Sequence, residues 1–137
     1  MSIREIRVLI ADDHPQFLKS LRQILSFEPE LRIVAECADG LQALARFNEL
    51  RPDIAVLDVD MPGLDGIEVA LRLQAARIVL LTMHKDPALL VRAREAGVRG
   101  YVLKENAAFD VVPAIRAVAN GRLFAGRSCS EFQGGAL

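Results

Sequence analysis

The chain has 137 residues and a formal net charge of −1, with 52% hydrophobic and 26% charged residues. This balance predicts one soluble globular domain with a sizeable core and argues against an intrinsically disordered chain. The sequence has no net positive charge to attract nucleic acid, no apolar run long enough to span a membrane and no signal peptide, so we expect a cytoplasmic protein without membrane partners.

The apolar pattern predicts five strands that alternate with five helices. Pro15 suits the first turn of a helix, Asp39 offers an N-terminal cap, and Gly97 and Gly121 suit helix ends. The passage from Leu73 to Arg77 is short, so we expect the third helix to be clipped or followed by a tight turn. In chain order the predicted elements are strand 6–11, helix 15–27, strand 31–37, helix 40–50, strand 53–58, helix 66–75, strand 77–82, helix 87–96, strand 100–104 and helix 109–120.

Pro113 constrains the last predicted helix. Proline is tolerated in the first turn of a helix but not in its interior, where it removes a hydrogen bond. We therefore expect this helix either to start near Asp110 or to be kinked.

The regular alternation of strands and helices is typical of a parallel sheet with right-handed crossovers. We predict an α/β fold with a five-stranded parallel sheet, doubly wound in the flavodoxin-like order 2-1-3-4-5. In that order the first and third strands are neighbours at the switch point, which is where such sheets bind ligands.

Two of the predicted strands end in carboxylates. The third strand stops at Asp58 and is followed by Met61-Pro62-Gly63, which cannot continue it, and the first strand ends at Asp12-Asp13. If these strands are neighbours, three carboxylates converge at one edge of the sheet and repel one another unless a cation lies among them. Hard oxygen ligands of this kind suit Mg²⁺.

The next two predicted strands end in Thr82 and Lys104, so a hydroxyl and a cation join the acids at this edge. The order and spacing of these residues resemble the receiver domain of two-component response regulators over about residues 6 to 121. The motifs that carry the resemblance are Asp12-Asp13, Asp58 with Met61-Pro62 and Gly66, Thr82, and Lys104. Three segments are similar to the subfamily with a LuxR-type DNA-binding domain, namely Asp12-Asp13-His14-Pro15, Leu81-Thr82-Met83-His84 and Gly100-Tyr101-Val102-Leu103-Lys104.

The resemblance implies a phosphorelay receiver that accepts a phosphoryl group from a sensor histidine kinase or a phosphotransfer protein. It identifies Asp58 as the phosphoacceptor, Thr82 as a hydrogen-bond donor to a phosphoryl oxygen, and Lys104 as the cation that offsets charge. It also implies that Thr82 and Tyr101 form the switch that changes the output surface. Such a receiver is not an enzyme in the ordinary sense, because it phosphorylates itself from a donor with Mg²⁺ and later loses the group by autodephosphorylation.

The resemblance further implies Mg²⁺ as the cofactor. It assigns direct ligation to Asp13 and Asp58, ligation through water to Asp12, and ligation through its backbone carbonyl to Asp60. His14 is predicted to be a loop residue at the start of a helix rather than a ligand or a base.

Two other functions compete with this interpretation. Asp58-Val59-Asp60 also resembles the Asp-x-Asp signature of haloacid-dehalogenase-like phosphatases, in which Asp60 would be the acid/base. That family places its further acidic pair after the lysine, whereas Asp12-Asp13 precedes the nucleophile, and Pro62 stands where the signature requires Thr or Val. A receiver that binds a partner without being phosphorylated is the third interpretation, and the presence of every expected chemical residue argues against it.

Residues 1–121 are therefore predicted to be the receiver domain, and residues 122–137 a linker or tail. The segment after Gly121 is rich in Gly and Ser and has no apolar period. The DNA-binding domain of the similar subfamily does not follow in this sequence, which suits either a regulator whose C-terminal domain lies outside it or a stand-alone receiver. DNA is expected as a partner only through such a C-terminal domain. Besides the kinase, the resemblance implies either an output partner or a second copy of the chain, whose binding follows the phosphoryl state.

Overall fold

The protein, seen in a computed structural model that describes residues 4–127, alternates strands and helices along that whole range. Among these residues, no helix has both the length and the apolar character needed to cross a membrane. The strands are β1 (Ile6–Ala11), β2 (Leu31–Cys37), β3 (Ile54–Asp58), β4 (Ile78–Thr82), β5 (Gly100–Leu103) and β6 (Phe124–Ala125). The helices are α1 (Pro15–Ser26), α2 (Gly40–Leu50), α3 (Gly66–Arg72), α4 (Pro87–Glu95) and α5 (Ala107–Ala119), with a 3₁₀ turn at Lys104–Asn106.

The strands form one parallel sheet in the order β2-β1-β3-β4-β5-β6. The predicted α/β fold and the order of its first five strands are confirmed, and β6 is an addition. The register pairs Ala11 of β1 with Leu57 of β3. The next residues along these two strands, Asp12 and Asp58, consequently lie side by side at the carboxyl edge of the sheet.

Apolar cores cover both faces of the sheet. On one face, α2, α3 and α4 pack over Leu9 and Leu57, and on the other face α1 and α5 pack over Ile10 and Val56. All five residues of β3 are buried, which explains why this strand is apolar without alternation. A strand covered on both faces delivers the residue at its end, Asp58, into a water-poor environment.

The connection from α3 to β4 is clipped, as the short passage from Leu73 to Arg77 predicts. The helix ends at Arg72, and Ala75 adopts a left-handed conformation with φ of 68°. The N–H of Ala76 then donates to the carbonyl of Leu73 at 2.9 Å, which closes a tight turn.

The last helix differs from the prediction at its start. It begins at Ala107, directly after the 3₁₀ turn, so Pro113 lies in the helix interior rather than in its first turn. Buried apolar side chains run along the helix on both sides of the proline. We attribute the continuation of the helix to this packing, which offsets the lost backbone hydrogen bond. The buried positions are Ala107, Val111, Ala114, Ile115 and Val118.

A short strand, β6, lies in the segment after α5. Residues 122–127 follow the helix, and Phe124 and Ala125 pair with Gly100 and Tyr101 of β5. Residues 128–137 of the predicted tail lie outside the described residues.

Candidate functional site

The carboxyl ends of β1 and β3 bring three carboxylates together. Asp12 and Asp58 are 0% and 1% exposed, whereas the side chain of Asp13 is 34% exposed. Ligand atoms of these three residues and of His14 all lie within 4.8 Å of one another. Neighbouring parallel strands explain this convergence, because each strand ends at the same level of the sheet.

Lys104 is the cation of this pocket. Its Nζ lies 2.7 Å from Oδ2 of Asp12 and 3.2 Å from Oδ2 of Asp58, and its side chain is 10% exposed. Both carboxylate oxygens are within ion-pair distance, yet neither receives a well-directed hydrogen bond from any described residue. The pocket therefore retains two buried acceptor atoms that the protein alone does not fully satisfy.

The local environment raises the pKa of Asp58 to about 6. Burial is the main cause and the negative charge of Asp12 the second, while Lys104 and the backbone N–H of Asp60 act in the opposite direction. Burial alone would lower the pKa of Lys104, but its close ion pairs with Asp12 and Asp58 together raise it. An ammonium ion is thus held beside a carboxylate whose charge is poorly compensated.

Gly66 lets the next helix approach the back of Asp58. A Cβ atom at position 66 would lie 2.5 Å from the backbone oxygen of Asp58, which is too close for any side chain. Asp65 and Glu68 form a capping box that fixes the start of α3 at this point. The tight contact holds the end of β3, and with it the position of the Asp58 carboxylate.

Thr82 ends β4 with its side chain fully buried. Its hydroxyl accepts a hydrogen bond from the backbone N–H of His84 at 2.9 Å, and His84 Nε2 lies 3.1 Å from Oδ2 of Asp60. The Asp60 side chain is 59% exposed and lies outside the carboxylate cluster. Only its backbone faces Asp58, because the N–H of Asp60 donates to Oδ1 of Asp58 at 3.2 Å.

Tyr101 lies on β5, beside the strand that carries Thr82. Its hydroxyl donates to the carbonyl of Val98 at 2.9 Å, and its half-buried ring packs against the core under α4. Burial raises the pKa of Tyr101 to about 12, so the hydroxyl remains protonated at neutral pH.

An open cleft of about 540 Å³ leads from the surface to Lys104 and Thr82. Phe17 forms one wall, with the Lys104 ammonium 4.7 Å from the centre of its ring. The exposed side chain of Met83 forms another. A molecule that enters this cleft reaches the cation and the hydroxyl of the pocket together.

Most predicted site residues meet in one place, but the contacts of two histidines were not predicted. Asp12, Asp13, Asp58 and Lys104 converge, and Thr82 lies at the end of the adjacent strand. His14 is at the helix start, as predicted, but its Nδ1 also lies 3.1 Å from both Asp12 and Asp13. The contacts of His14 are with its immediate neighbours in the chain, whereas the contact between His84 and Asp60 joins residues 24 positions apart, which a local pattern does not report.

Comparison with known families identifies the domain. Residues 8–116 match the family described as the response regulator receiver domain. The probable transcriptional regulatory protein NarL of Mycobacterium tuberculosis is 34% identical over 122 residues, which are 86% of this chain and 56% of the relative. The transcriptional regulatory protein DesR of Bacillus subtilis is 34% identical over 119 residues, or 85% of this chain and 60% of the relative. The chain thus spans little more than half the length of these curated relatives.

Solved structures agree with the sequence comparison. A LuxR-family two-component response regulator from Aurantimonas superposes with a TM-score of 0.90 at 34% identity, covering 96% of this chain and 97% of the other. The signal receiver domain of the Mycobacterium tuberculosis NarL superposes with a TM-score of 0.84 at 34% identity, covering 88% of this chain and 100% of the other. The family match decides between the receiver and the phosphatase interpretations. The chain belongs to the response regulator receiver domain family and resembles the receivers of its LuxR-type members.

Proposed function

We propose that Asp58 is the residue that accepts a phosphoryl group, delivered by a sensor histidine kinase or a phosphotransfer protein. The observation that supports this assignment is the buried Asp58 carboxylate, with one oxygen lacking a directed hydrogen bond and an ammonium ion 3.2 Å away. A carboxylate oxygen of Asp58 attacks phosphorus, the P–N bond to the donor imidazole breaks, and that nitrogen keeps the bonding electron pair. The product is an acyl phosphate.

Lys104 and Thr82 complete the phosphoryl site in this proposal. The Lys104 ammonium offsets charge on the phosphoryl oxygens as the group arrives. Thr82 donates its hydroxyl hydrogen to one of these oxygens, and its buried position at the end of β4 restricts the directions available to it. Positioning and charge neutralisation supply most of the catalysis, since a carboxylate is a weak nucleophile toward an anionic phosphoryl group.

The carboxylate cluster fits Mg²⁺. Hard oxygen donors lie within 4.8 Å of one another, and buried oxygens of Asp12 and Asp58 lack directed hydrogen bonds. We assign Asp13 and Asp58 as direct ligands, Asp12 as a ligand through water, and the backbone carbonyl of Asp60 as a further ligand. When bound, the metal supplies positive charge that offsets the phosphoryl oxygens. Autodephosphorylation then follows when water attacks phosphorus, which restores the carboxylate and releases inorganic phosphate.

Thr82 and Tyr101 are the proposed switch. To donate to a phosphoryl oxygen, the Thr82 hydroxyl has to redirect its hydrogen, which points to the carbonyl of His84 at 3.5 Å. Tyr101 can then move into the vacated space, which breaks its hydrogen bond to Val98. The phosphoryl group thereby shifts a pre-existing equilibrium at the surface formed by α4, β5 and α5. We expect dimerisation or partner binding to follow this shift.

The proposed context is a cytoplasmic signalling protein with a receiver in residues 1–121. In this arrangement a C-terminal domain would contact DNA; the response regulator RcsB, a relative that is 29% identical, was solved as a complex with DNA. Residues 122–137 would then connect the two domains.

Acetyl phosphate labelling tests the phosphoacceptor. We expect the wild type with Mg²⁺ to gain one base-labile phosphoryl group, seen by intact mass, and Asp58→Asn to gain none. Asp60→Asn is the matched control, because its carboxylate lies two residues away yet outside the cluster. Thr82→Ala should still accept a phosphoryl group, but its phosphorylation should not change amide exchange in α4 as it does in the wild type.

Undiminished labelling of Asp58→Asn would overturn the assignment. Absence of labelling in the wild type would favour a receiver that works without phosphorylation. Loss of labelling in Asp60→Asn as well would show that the loss is not specific to Asp58.

A further inference from the structure

Residues Phe124–Arg127, which follow the turn after α5, are hydrogen-bonded along the free side of β5. Phe124 donates its N–H to the carbonyl of Arg99 at 2.9 Å, and Gly126 donates to the carbonyl of Tyr101 at 2.8 Å. We call this segment, Phe124–Arg127, the strand latch. It occupies the edge of β5 that would otherwise present unpaired backbone groups.

A buried carboxylate anchors the far end of the strand latch. Asp110 of α5 is 4% exposed, and its two oxygens accept from the backbone N–H of Arg127 at 2.8 Å and from its Nε at 3.0 Å. The guanidinium also lies over the ring of Phe109, 5.2 Å from its centre. An acid buried this deeply needs such partners, because an unpaired buried charge is strongly destabilising.

The absence of a side chain at Gly126 lets the strand latch pack closely against Asp110 and β5. A Cβ at this position would lie 2.9 Å from Oδ2 of Asp110 and 3.0 Å from the carbonyl oxygen of Tyr101. Any side chain here would push the segment away from both. One residue thus connects the anchor on α5 to the strand that carries Tyr101.

We propose that the strand latch is closed on β5 in the resting receiver through Asp110 and opens when Tyr101 moves. The receiver would in this way control whether Phe124–Arg127 is held on β5 or released from it. The opening step rests on the proposed switch: it requires that the movement of Tyr101 also displace the backbone of β5, because the Tyr101 carbonyl accepts from the N–H of Gly126. The closed latch itself rests only on the contacts of Gly126, Arg127 and Asp110.

Amide exchange and trypsin cleavage of the full chain test the closed latch. We expect Gly126→Val, which expels the segment sterically, to accelerate exchange of the Gly126 and Arg127 amides by roughly tenfold or more. Cleavage after Arg127 should become correspondingly faster. Arg127→Ala removes only the side-chain half of the anchor and should accelerate exchange less, with phosphoryl acceptance unchanged.

Glu49→Gln is the control for these variants, because it breaks an exposed Arg46–Glu49 pair far from the latch. It should leave exchange of the latch amides unchanged. Equal exchange at the Gly126 and Arg127 amides in the wild type and in Gly126→Val would overturn the closed latch.

Beryllofluoride with Mg²⁺, added to the wild type as a phosphoryl mimic, tests the opening. Faster exchange at Gly126 and Arg127, together with changes around Asp58 and in α4, would support it. Changes around Asp58 and in α4 that leave the latch amides unaffected would overturn the opening while the proposed function stands. An absence of change around Asp58 would overturn the proposed function and the opening together, and the variants would still decide on the closed latch.

Discussion

Charged residues gather around an open cavity both at the carboxyl ends of the strands, the carboxyl edge, and at their amino ends, the amino edge. The charges are buried at the carboxyl edge and exposed at the amino edge. At the carboxyl edge, Asp12 and Asp58 are buried beside Lys104, close to a cleft of about 540 Å³. At the amino edge, a cavity of about 570 Å³ is lined by three exposed arginines, Arg51, Arg72 and Arg77. Cavity size does not distinguish the two edges, whereas burial of charge does.

The arginines of the amino edge have a structural explanation. Helices in this fold end at that edge, where their last carbonyls carry partial negative charge. Arg77 donates to the carbonyl of Ala119 at the end of α5, and Arg72 lies in the last turn of α3. These cations offset the partial charge of helix ends. The residue with a strongly raised pKa, Asp58, lies at the carboxyl edge instead. Buried, poorly compensated charge is therefore the better marker of the chemical site.

Removing the cation of the carboxyl edge should have the largest effect on stability. Lys104→Met keeps the aliphatic stem but leaves two buried carboxylates without their ion pair, so the free energy of unfolding should fall by about 3 kcal/mol at pH 7.5. Urea denaturation without divalent metal measures this. Arg72→Ala is the control at the amino edge, where removing an exposed cation should change stability by less than about 0.5 kcal/mol. Equal effects at both edges would contradict the comparison.

Neutralising Asp58 should act in the opposite direction. Its pKa is raised from 3.8 to about 6, and each pH unit is worth about 1.4 kcal/mol. Because the folded protein binds this proton more tightly than the unfolded chain does, the raised pKa stabilises the fold at pH values below the unfolded pKa of 3.8. This stabilisation is lost as the pH rises through the folded pKa of about 6. Asp58→Asn without metal should therefore be about 2 to 3 kcal/mol more stable than the wild type at pH 7.5. The difference should vanish near pH 4, and a constant difference across that range would show that ionisation of Asp58 is not its cause.

Mg²⁺ should restore part of the stability that the ionised carboxylates remove. A ligand that binds only the folded state at ten times its Kd adds about 1.4 kcal/mol to the free energy of unfolding. We expect this gain for the wild type and a smaller one for Asp13→Ala, measured by thermal unfolding with and without MgCl₂. Asp53→Ala is the control, because it removes an acid at the amino edge and should keep the full stabilisation by MgCl₂. If MgCl₂ stabilised Asp13→Ala as much as the wild type, the metal would bind elsewhere.

The smallest expected effect concerns the backbone of the amino edge. Ala75 is held at φ of 68°, which costs a residue with a Cβ about 1 kcal/mol relative to glycine. Ala75→Gly should therefore raise the free energy of unfolding by up to about 1 kcal/mol. Phosphoryl acceptance should not change. The same substitution at helical Ala70, where glycine costs stability, is the control, and a loss of stability in Ala75→Gly would contradict the strain.

The sequence predicted the carboxyl edge better than the segments that surround it. Asp12, Asp58, Thr82 and Lys104 each follow an apolar strand directly, so a local pattern reports their position at the sheet edge. Parallel pairing then brings the strand ends together. Their individual roles remain predictions, because geometry gives proximity and charge but not a reaction.

The missed features depend on distant contacts. The two residues of β6 have no apolar period, and Asp110, Tyr101 and Arg99 hold the segment from elsewhere in the chain. Of the two alternatives that Pro113 suggested, a helix start near Asp110 is wrong, because packing of α5 from Ala107 onward outweighed the local preference of the proline. Propensity is a weak guide where tertiary packing opposes it.

The pairing of β1 with β3 also has a kinetic consequence. The whole of α1, β2 and α2 lies in sequence between Asp12 and Asp58, so the carboxylates meet only after a large loop has closed. Loop closure of this kind is a slow part of folding for parallel sheets. Until β3 docks on β1, the chain has no metal pocket to occupy. During refolding, a divalent ion should therefore bind only after β1 and β3 have paired. This binding should occur later than the formation of the helices.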